Sequence, residues 1–177
     1  MTDHRVAYYA TVDTDFGSML VAGNGRTLVA IKFAVPPKRT NAAVEALHDE
    51  LHGYFTLIHD ETKVANIAKQ VSDYLTSRRK AFDLDLDLCH VTSFRRDVLL
   101  ETARVPRGQV ASYAEIARRV GRPLACRAVG STMRTNPVPL VVPCHRIVAS
   151  DGGVGGFGGG LDMKRRLLAL EGVALAV

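Results

Sequence analysis

Residues 112–148 read SYAEIARRVGRPLACRAVGSTMRTNPVPLVVPCHRIV, and the reading of the fold turns on them. Ser112 stands where a helix N-cap is wanted, and Ile116, Ala117 and Val120 give Tyr113–Val120 one apolar face. Gly121-Arg122-Pro123 makes a short turn. A second helix is predicted from about Leu124 to Arg134, with Ala128, Val129 and Met133 inward. Two short helices across a glycine-containing turn dock on DNA in many proteins and are purely structural in others. Ala125, Ala128, Gly130 and Ser131 keep the second helix slim enough to lie close to a groove, and Arg127 near its start is placed to enter one.

Beyond that helix the chain stiffens. Pro137, Pro139 and Pro143 each fix φ near about −65° and restrict the residue before them. They lead into Pro143-Cys144-His145-Arg146, bracketed by Val141-Val142 and Ile147-Val148. The thiolate is the nucleophilic form of cysteine, and a neighbouring imidazole is a common way to generate it near neutral pH. On the tetrapeptide alone, an inert cysteine in an apolar strand stands as an equal alternative.

The stretch from Cys126 to Gly172 resembles the active-site domain of the O6-alkylguanine-DNA alkyltransferases (methylated-DNA–protein-cysteine methyltransferases). Five motifs follow in order: Arg127-Ala128-Val129-Gly130 on a recognition helix, the Asn136-Pro137 hinge, Pro143–Arg146, the glycine-rich loop Asp151–Gly160, and a closing helix ending in Glu171-Gly172. The resemblance extends more weakly upstream to about Ser93. It implies that Cys144 accepts the alkyl group, that His145 reaches it through water and that Glu171 orients His145. A carboxylate at a helix C-terminus opposes the macrodipole, so Glu171 asks for such a partner. Asn136 is implied as the hinge between the DNA-reading helix and Pro143–Arg146, and Tyr113 as the phenol that assists nucleotide rotation. Arg127 is the implied finger that fills the space of a flipped base. Ser112, Tyr113, Ala128, Gly130 and Arg134 complete the implied contacts to double-stranded DNA, through the minor groove.

Met133, Cys144, Ile147, Phe157 and Gly158 are the implied base pocket. The family usually has Tyr at the position of Phe157 and often Ser or Ala at that of Gly158, so the hydroxyls near O6 differ here. The implied reaction is displacement at the alkyl carbon by the Cys144 thiolate, leaving a thioether, so each molecule acts once. No cofactor is expected. Some family members hold zinc in the N-terminal part, but the first 88 residues here contain no cysteine and no metal site is expected. The glycine-rich loop lacks the Lys-Ser/Thr of a nucleotide-binding loop. Cys126, beside Arg127, is a candidate secondary thiol.

Charge agrees with one DNA-facing half. Residues 1–90 carry ten Lys and Arg against twelve Asp and Glu, whereas residues 91–177 carry thirteen against six, twelve of the thirteen being Arg. We place a domain boundary near residue 90: an α/β (α+β) N-terminal domain with a small antiparallel sheet over 1–90, in a supporting role, and a mostly helical DNA-binding and alkyl-transfer domain over 91–177. In the first, Val6–Thr11, Ser18–Ala22 and Thr27–Phe33 read as strands, ended by Pro36-Pro37. Val44, Leu47, Leu51, Phe55 and Ile58 recur at helical spacing, as do Val64, Ile67, Val71 and Leu75. Phe82–Leu88 alternates as a half-buried strand, its outer face Asp83, Asp85 and Asp87. Ser93 is the predicted cap of a helix carrying Phe94, Val98, Leu99 and Thr102.

The first ten residues, MTDHRVAYYA, lack the apolar segment of a secretion signal, and no apolar run reaches the ~18 residues that span a membrane. Three scattered cysteines suit a reducing cytoplasm, with or without association with the nucleoid. The expected state is a monomer, with cooperative binding along DNA left open. Three rivals fit less: a recognition protein without transfer has no use for Cys144, a cysteine hydrolase none for a helix–turn–helix, and a dimeric transcriptional regulator none for Pro143–Arg146.

Overall fold

The computed structural model describes residues 5–33 and 40–174. The chain divides into two compact units, Met1–His90 and Val91–Val177. In the first, β1 (Arg5–Val12), β2 (Met19–Asn24) and β3 (Thr27–Lys32) form the expected antiparallel meander. Gly25, at φ +62°, occupies the left-handed position of the tight β2–β3 turn. The predicted stop at Pro36-Pro37 lies outside the described residues.

The sheet is not antiparallel throughout. Its order is β4-β1-β2-β3-β5, and both edge strands, β4 (Phe55–His59) and β5 (Asp85–Leu86), pair in parallel. Phe55 and Ile58 therefore belong to a strand, although their spacing continues that of α1 (Thr40–Leu51). Gly53, at φ +82°, turns the chain after α1, and β1 then captures Phe55–His59 by backbone pairing. The aspartate-rich stretch is strand only at Asp85–Leu86, where it meets Thr27–Leu28 of β3. The outward aspartates are taken up by arginines: Asp83 accepts from Arg26 at 2.8 Å and Asp87 from Arg5 at 2.6 Å. Among the described residues, no cluster of three or more His, Cys, Asp or Glu is arranged to hold a metal ion.

One face of the sheet receives Leu47 and Leu51 of α1, which pack with Ala7, Leu20, Ala22 and Leu57. On the other, α2 (Glu61–Leu75) runs over β1 and β2, capped by Asp60. Gly23 permits this approach: a Cβ there would lie 2.6 Å from Ile67 Cδ1 of α2 and 2.1 Å from the Thr27 carbonyl oxygen.

The second unit is built on helices. Its first, α3 (Ser93–Ala103), is N-capped by Thr92 and not by Ser93, and buries Val98, Leu99 and Thr102. A two-residue strand, β6 (Ala111–Ser112), leads into α4 (Tyr113–Arg119). Ser112 and Glu115 close a reciprocal capping box there, so the helix starts where Ser112 predicts. The next helix, α5 (Cys126–Arg134), begins two residues later than expected, leaving Leu124 98% exposed at the turn. Its inward residues are Val129, Thr132 and Met133; Ala128 points outward. Both α4 and α5 pack on α3. Finally β7 (Ile147–Val148) pairs in parallel with β6, and α6 (Leu161–Leu170) ends the described chain. No helix among the described residues is long and apolar enough to cross a membrane.

Candidate active site

Cys144, His145 and Arg146 form a single turn of 3₁₀ helix and not a piece of strand. The proline-rich approach explains the difference. The Cys144 and Arg146 amides bond to Val142 and Pro143 carbonyls at 2.8 and 2.9 Å, curling the chain. Asn136 holds this approach as a bracket: its Nδ2 donates to the Val142 carbonyl at 2.9 Å and its Oδ1 accepts from Val138 N–H at 3.0 Å. Within the bracket Leu140 is buried at φ +73°, a conformation that costs a branched residue about 1–2 kcal/mol and persists because its surroundings hold it.

The turn is dry. Cys144 is 3% exposed and His145 not at all. Burial pushes the Cys144 thiol up to about 11, against a hydrogen bond from Asn136 and the charge of Lys164, which pull it down. Burial also holds His145 below the ordinary histidine range, although Glu171 opposes it. The resting pair is thus a thiol and a neutral imidazole, and forming the nucleophile requires moving a proton between them.

Glu171 sits at the C-cap of α6, with Gly172 in the left-handed conformation (φ +79°) that ends the helix. Its Oε1 lies 2.6 Å from His145 Nε2. Two residues that sequence reasoning left without a role complete the cluster. Arg146 donates through Nε to Glu171 Oε2 at 2.8 Å, through Nη2 to Oε1 at 3.1 Å, and through Nη1 to the Val105 carbonyl. Lys164, fully buried, donates through Nζ to the Ile147 carbonyl and, at 3.4 Å, to that of Gly156. Burial draws Lys164 down to about 8. A signal for Lys164 was present, since seven residues before Glu171 is two helical turns on the same face. Arg146 adjoins His145 but carried no periodicity to show that it is buried.

The loop after β7 is pinned from two sides. Tyr113 Oη donates to the same Gly156 carbonyl at 3.3 Å, and burial raises the Tyr113 pKa. Gly155 has φ +68°, and a Cβ there would lie 2.9 Å from Tyr113 Oη. A Cβ at Gly158 would lie 3.2 Å from the Arg134 carbonyl, so this loop and the end of α5 are neighbours. A Cβ at Gly130 would meet the Tyr113 ring at 3.9 Å. Arg127, Ala128 and Arg134 are exposed on α5, and Phe157 is half-buried. Met133 is buried with its sulfur 3.7 Å from Thr102 Oγ1 of α3. Cys126 is half-buried, its sulfur 3.7 Å from the Pro123 carbonyl. An open cavity of about 370 Å³ lies along Ser112, Glu115, Arg118, Val148 and Ser150, and its lining includes neither Cys144 nor His145.

The site is, by class, a buried cysteine–histidine–carboxylate cluster carried in one unit with a helix–turn–helix. Comparison with known proteins narrows it. Residues 93–173 match the family model described as 6-O-methylguanine DNA methyltransferase, DNA binding domain, and residues 7–88 match that of its ribonuclease-like domain. The methylated-DNA–protein-cysteine methyltransferase of Methanosarcina barkeri is 32% identical over 164 residues, covering 93% of this chain and 96% of the relative. The crystal structure of Mycobacterium tuberculosis OGT in complex with DNA superposes with a TM-score of 0.77 at 33% identity, covering 93% and 92% of the two chains. The O6-methylguanine-DNA methyltransferase of Pyrococcus kodakaraensis gives 0.69 at 26% identity, over 95% and 100%. This chain belongs to the 6-O-methylguanine DNA methyltransferase family.

Proposed function

We propose that this protein repairs DNA by taking a methyl or other alkyl group from O6 of guanine onto Cys144. The observation that carries the reading is the Cys144–His145–Arg146 turn, with Asn136 on the thiol side and Glu171 on His145 at 2.6 Å. The thiol proton passes to His145 and sulfur attacks the alkyl carbon. The carbon–O6 bond breaks with its electrons going to guanine, and the proton returns to guanine. A thioether and an intact guanine remain. A thioether resists hydrolysis, so each molecule acts once, and the alkyl donor is the DNA itself, so no cofactor or metal is needed.

In this reading Arg127 fills the space of the flipped nucleotide, entering from the minor groove, while Tyr113 assists rotation and the departure of guanine. Ser112, Ala128, Gly130 and Arg134 contact the duplex. Met133, Ile147, Phe157 and Gly158 line the base pocket, the Ile147 carbonyl using the lone pair that Lys164 leaves. Residues 1–90 support the DNA-binding and transfer unit of 91–177. The protein works as a monomer in the cytoplasm or at the nucleoid.

Intact-protein mass spectrometry after mixing with a duplex carrying one O6-methylguanine tests this. A gain of ~14 Da that saturates at one per chain and is lost in Cys144→Ser is expected. Unchanged mass with tight binding to the lesion would overturn transfer and leave a recognition protein.

A further inference from the structure

Histidine has two ring nitrogens, and only one carries a proton in the neutral form. Which one is protonated in His145 decides whether the ring is able to take the proton of Cys144. Nε2 faces Glu171 Oε1 at 2.6 Å, while Nδ1 is buried with no hydrogen-bond partner among the described residues. A carboxylic acid at Glu171 would place the proton on oxygen and leave Nε2 as acceptor; a carboxylate requires Nε2–H as donor. The deciding group is Arg146. Its Nε and Nη2 donate to the two oxygens of Glu171, at 2.8 and 3.1 Å, so the guanidinium charge stabilises the carboxylate and disfavours a proton on either oxygen. Its third contact, Nη1 to the Val105 carbonyl, stops the fork from swinging away.

We infer that Arg146 is a positioning residue: by clamping Glu171 as an acceptor-only carboxylate, it fixes His145 as the Nε2–H tautomer and leaves Nδ1 free to receive the Cys144 proton. The inference rests on the alkyl-transfer reading for its consequence, although the tautomer is measurable without it. Charge points the same way. The groups around His145 are Cys144 and Arg146 on its own turn and Lys164 and Glu171 on α6. Cys144 adds to the upward push that burial gives Tyr113 of α4, and Arg107, after α3, donates to the Leu170 carbonyl. With Arg146 present, the carboxylate is already balanced and the imidazole stays neutral. Without it, Glu171 would pair with an imidazolium, and a histidine that already holds two protons accepts none from a thiol.

The test is ¹⁵N NMR of the histidine rings with transfer rates across pH. In the native protein at pH 7, His145 is expected to show a protonated Nε2 and an unprotonated Nδ1. An Nδ1–H tautomer or an imidazolium there would overturn the inference, whether or not the protein transfers alkyl groups. In Arg146→Gln, His145 is expected to become imidazolium at a higher pH than in the native protein. The acid limb of the rate profile should move up by about one pH unit, making transfer about tenfold slower on that limb and recovering in mild alkali. Arg146→Lys, which keeps the charge, should return the limb toward its native position. A rate lowered by one factor at every pH, or a lysine variant no better than glutamine, would reduce Arg146 to a structural role and overturn the inference. Should the glutamine variant fail to fold, the native spectrum decides alone. A native protein that shows the expected tautomer but gains no mass from O6-methylguanine would sink the transfer reading instead.

Discussion

Both units join arginine to carboxylates, and the two arrangements have little in common energetically. In the N-terminal unit Arg26 meets Asp83 and Asp85 with side chains 58%, 68% and 72% exposed. In the C-terminal unit Arg146 meets Glu171 at 8% and 0%. Water already solvates the first set, so pairing adds little. The second set has surrendered its hydration, and each member depends on the others for compensation. The sheet unit therefore leaves its charges in water, whereas the helical unit gathers Arg146, Glu171 and His145 in one buried cluster.

Removing one buried member should break that contrast most visibly. Glu171→Gln keeps the shape of the side chain but leaves the Arg146 cation buried without an anion, and is expected to cost about 3–5 kcal/mol in denaturant unfolding. Transfer should fall with it, since one of the two acceptor oxygens shared by His145 and Arg146 becomes an N–H₂ donor. A variant as stable as the native protein would show that the cluster is more hydrated than its burial indicates.

Acid should attack the same region next. His145 has a folded-state pKa below its unfolded one, so between the two the unfolded chain binds more protons and stability rises with pH. Lowering the pH below about 6.5 is therefore expected to reduce both stability and transfer rate, from a loss centred on His145. The Cys144 thiol acts at the other end. Raised from 9.0 to about 11, it favours the folded state below 9 and loses that contribution as pH climbs toward 11. Thermal unfolding across pH checks both limbs. A stability that does not change between pH 7.5 and pH 5 would contradict the neutral buried imidazole.

Gly155→Ala should have a smaller and more local effect. A methyl group at φ +68° is strained, by about 1–2 kcal/mol, and would press on Tyr113 Oη at 2.9 Å. Transfer should slow more than stability falls, because the phenol and the Gly156 carbonyl move together. Equal losses would mean that the loop is merely structural.

What the sequence displayed follows the same division between local and distant causes. The helix–turn–helix was readable because Ser112 and Gly121 act within a few residues of themselves. Asn136 and Glu171 were legible only through the family resemblance, the place of Glu171 at a helix end being equally that of an exposed terminal residue. Phe55 and Ile58 misled because helical spacing extended across Gly53, while the deciding event was capture by β1, distant in sequence. Phe82–Leu88 kept its alternation of burial yet made a ladder over only two residues, since β3 offers it partners only at Thr27 and Leu28. Arg146 was hidden for a third reason: nothing in an arginine's neighbours says whether its partner lies in solvent or 25 residues away in the core.

Arg26→Ala supplies the smallest effect and the sharpest control. It removes a guanidinium that contacts two carboxylates, as Glu171→Gln removes the charge Arg146 answers, so a count of ion pairs would rank the two alike. Exposure ranks them far apart. With Arg26 gone, Asp83 and Asp85 remain in water, and Asp83 stays in place because its backbone N–H is held by Gln70 Oε1 at 2.8 Å. The strand beneath also keeps its backbone bonds, Asp85 N–H to the Arg26 carbonyl at 3.0 Å and Asp87 N–H to that of Leu28 at 2.9 Å. Neither depends on the side chain removed. The expected change in melting temperature is about 1 °C or less, shrinking further as salt is added. A drop comparable to that of Glu171→Gln would mean that the exposed arginine holds β5 on the sheet, and that burial is not what separates the two regions.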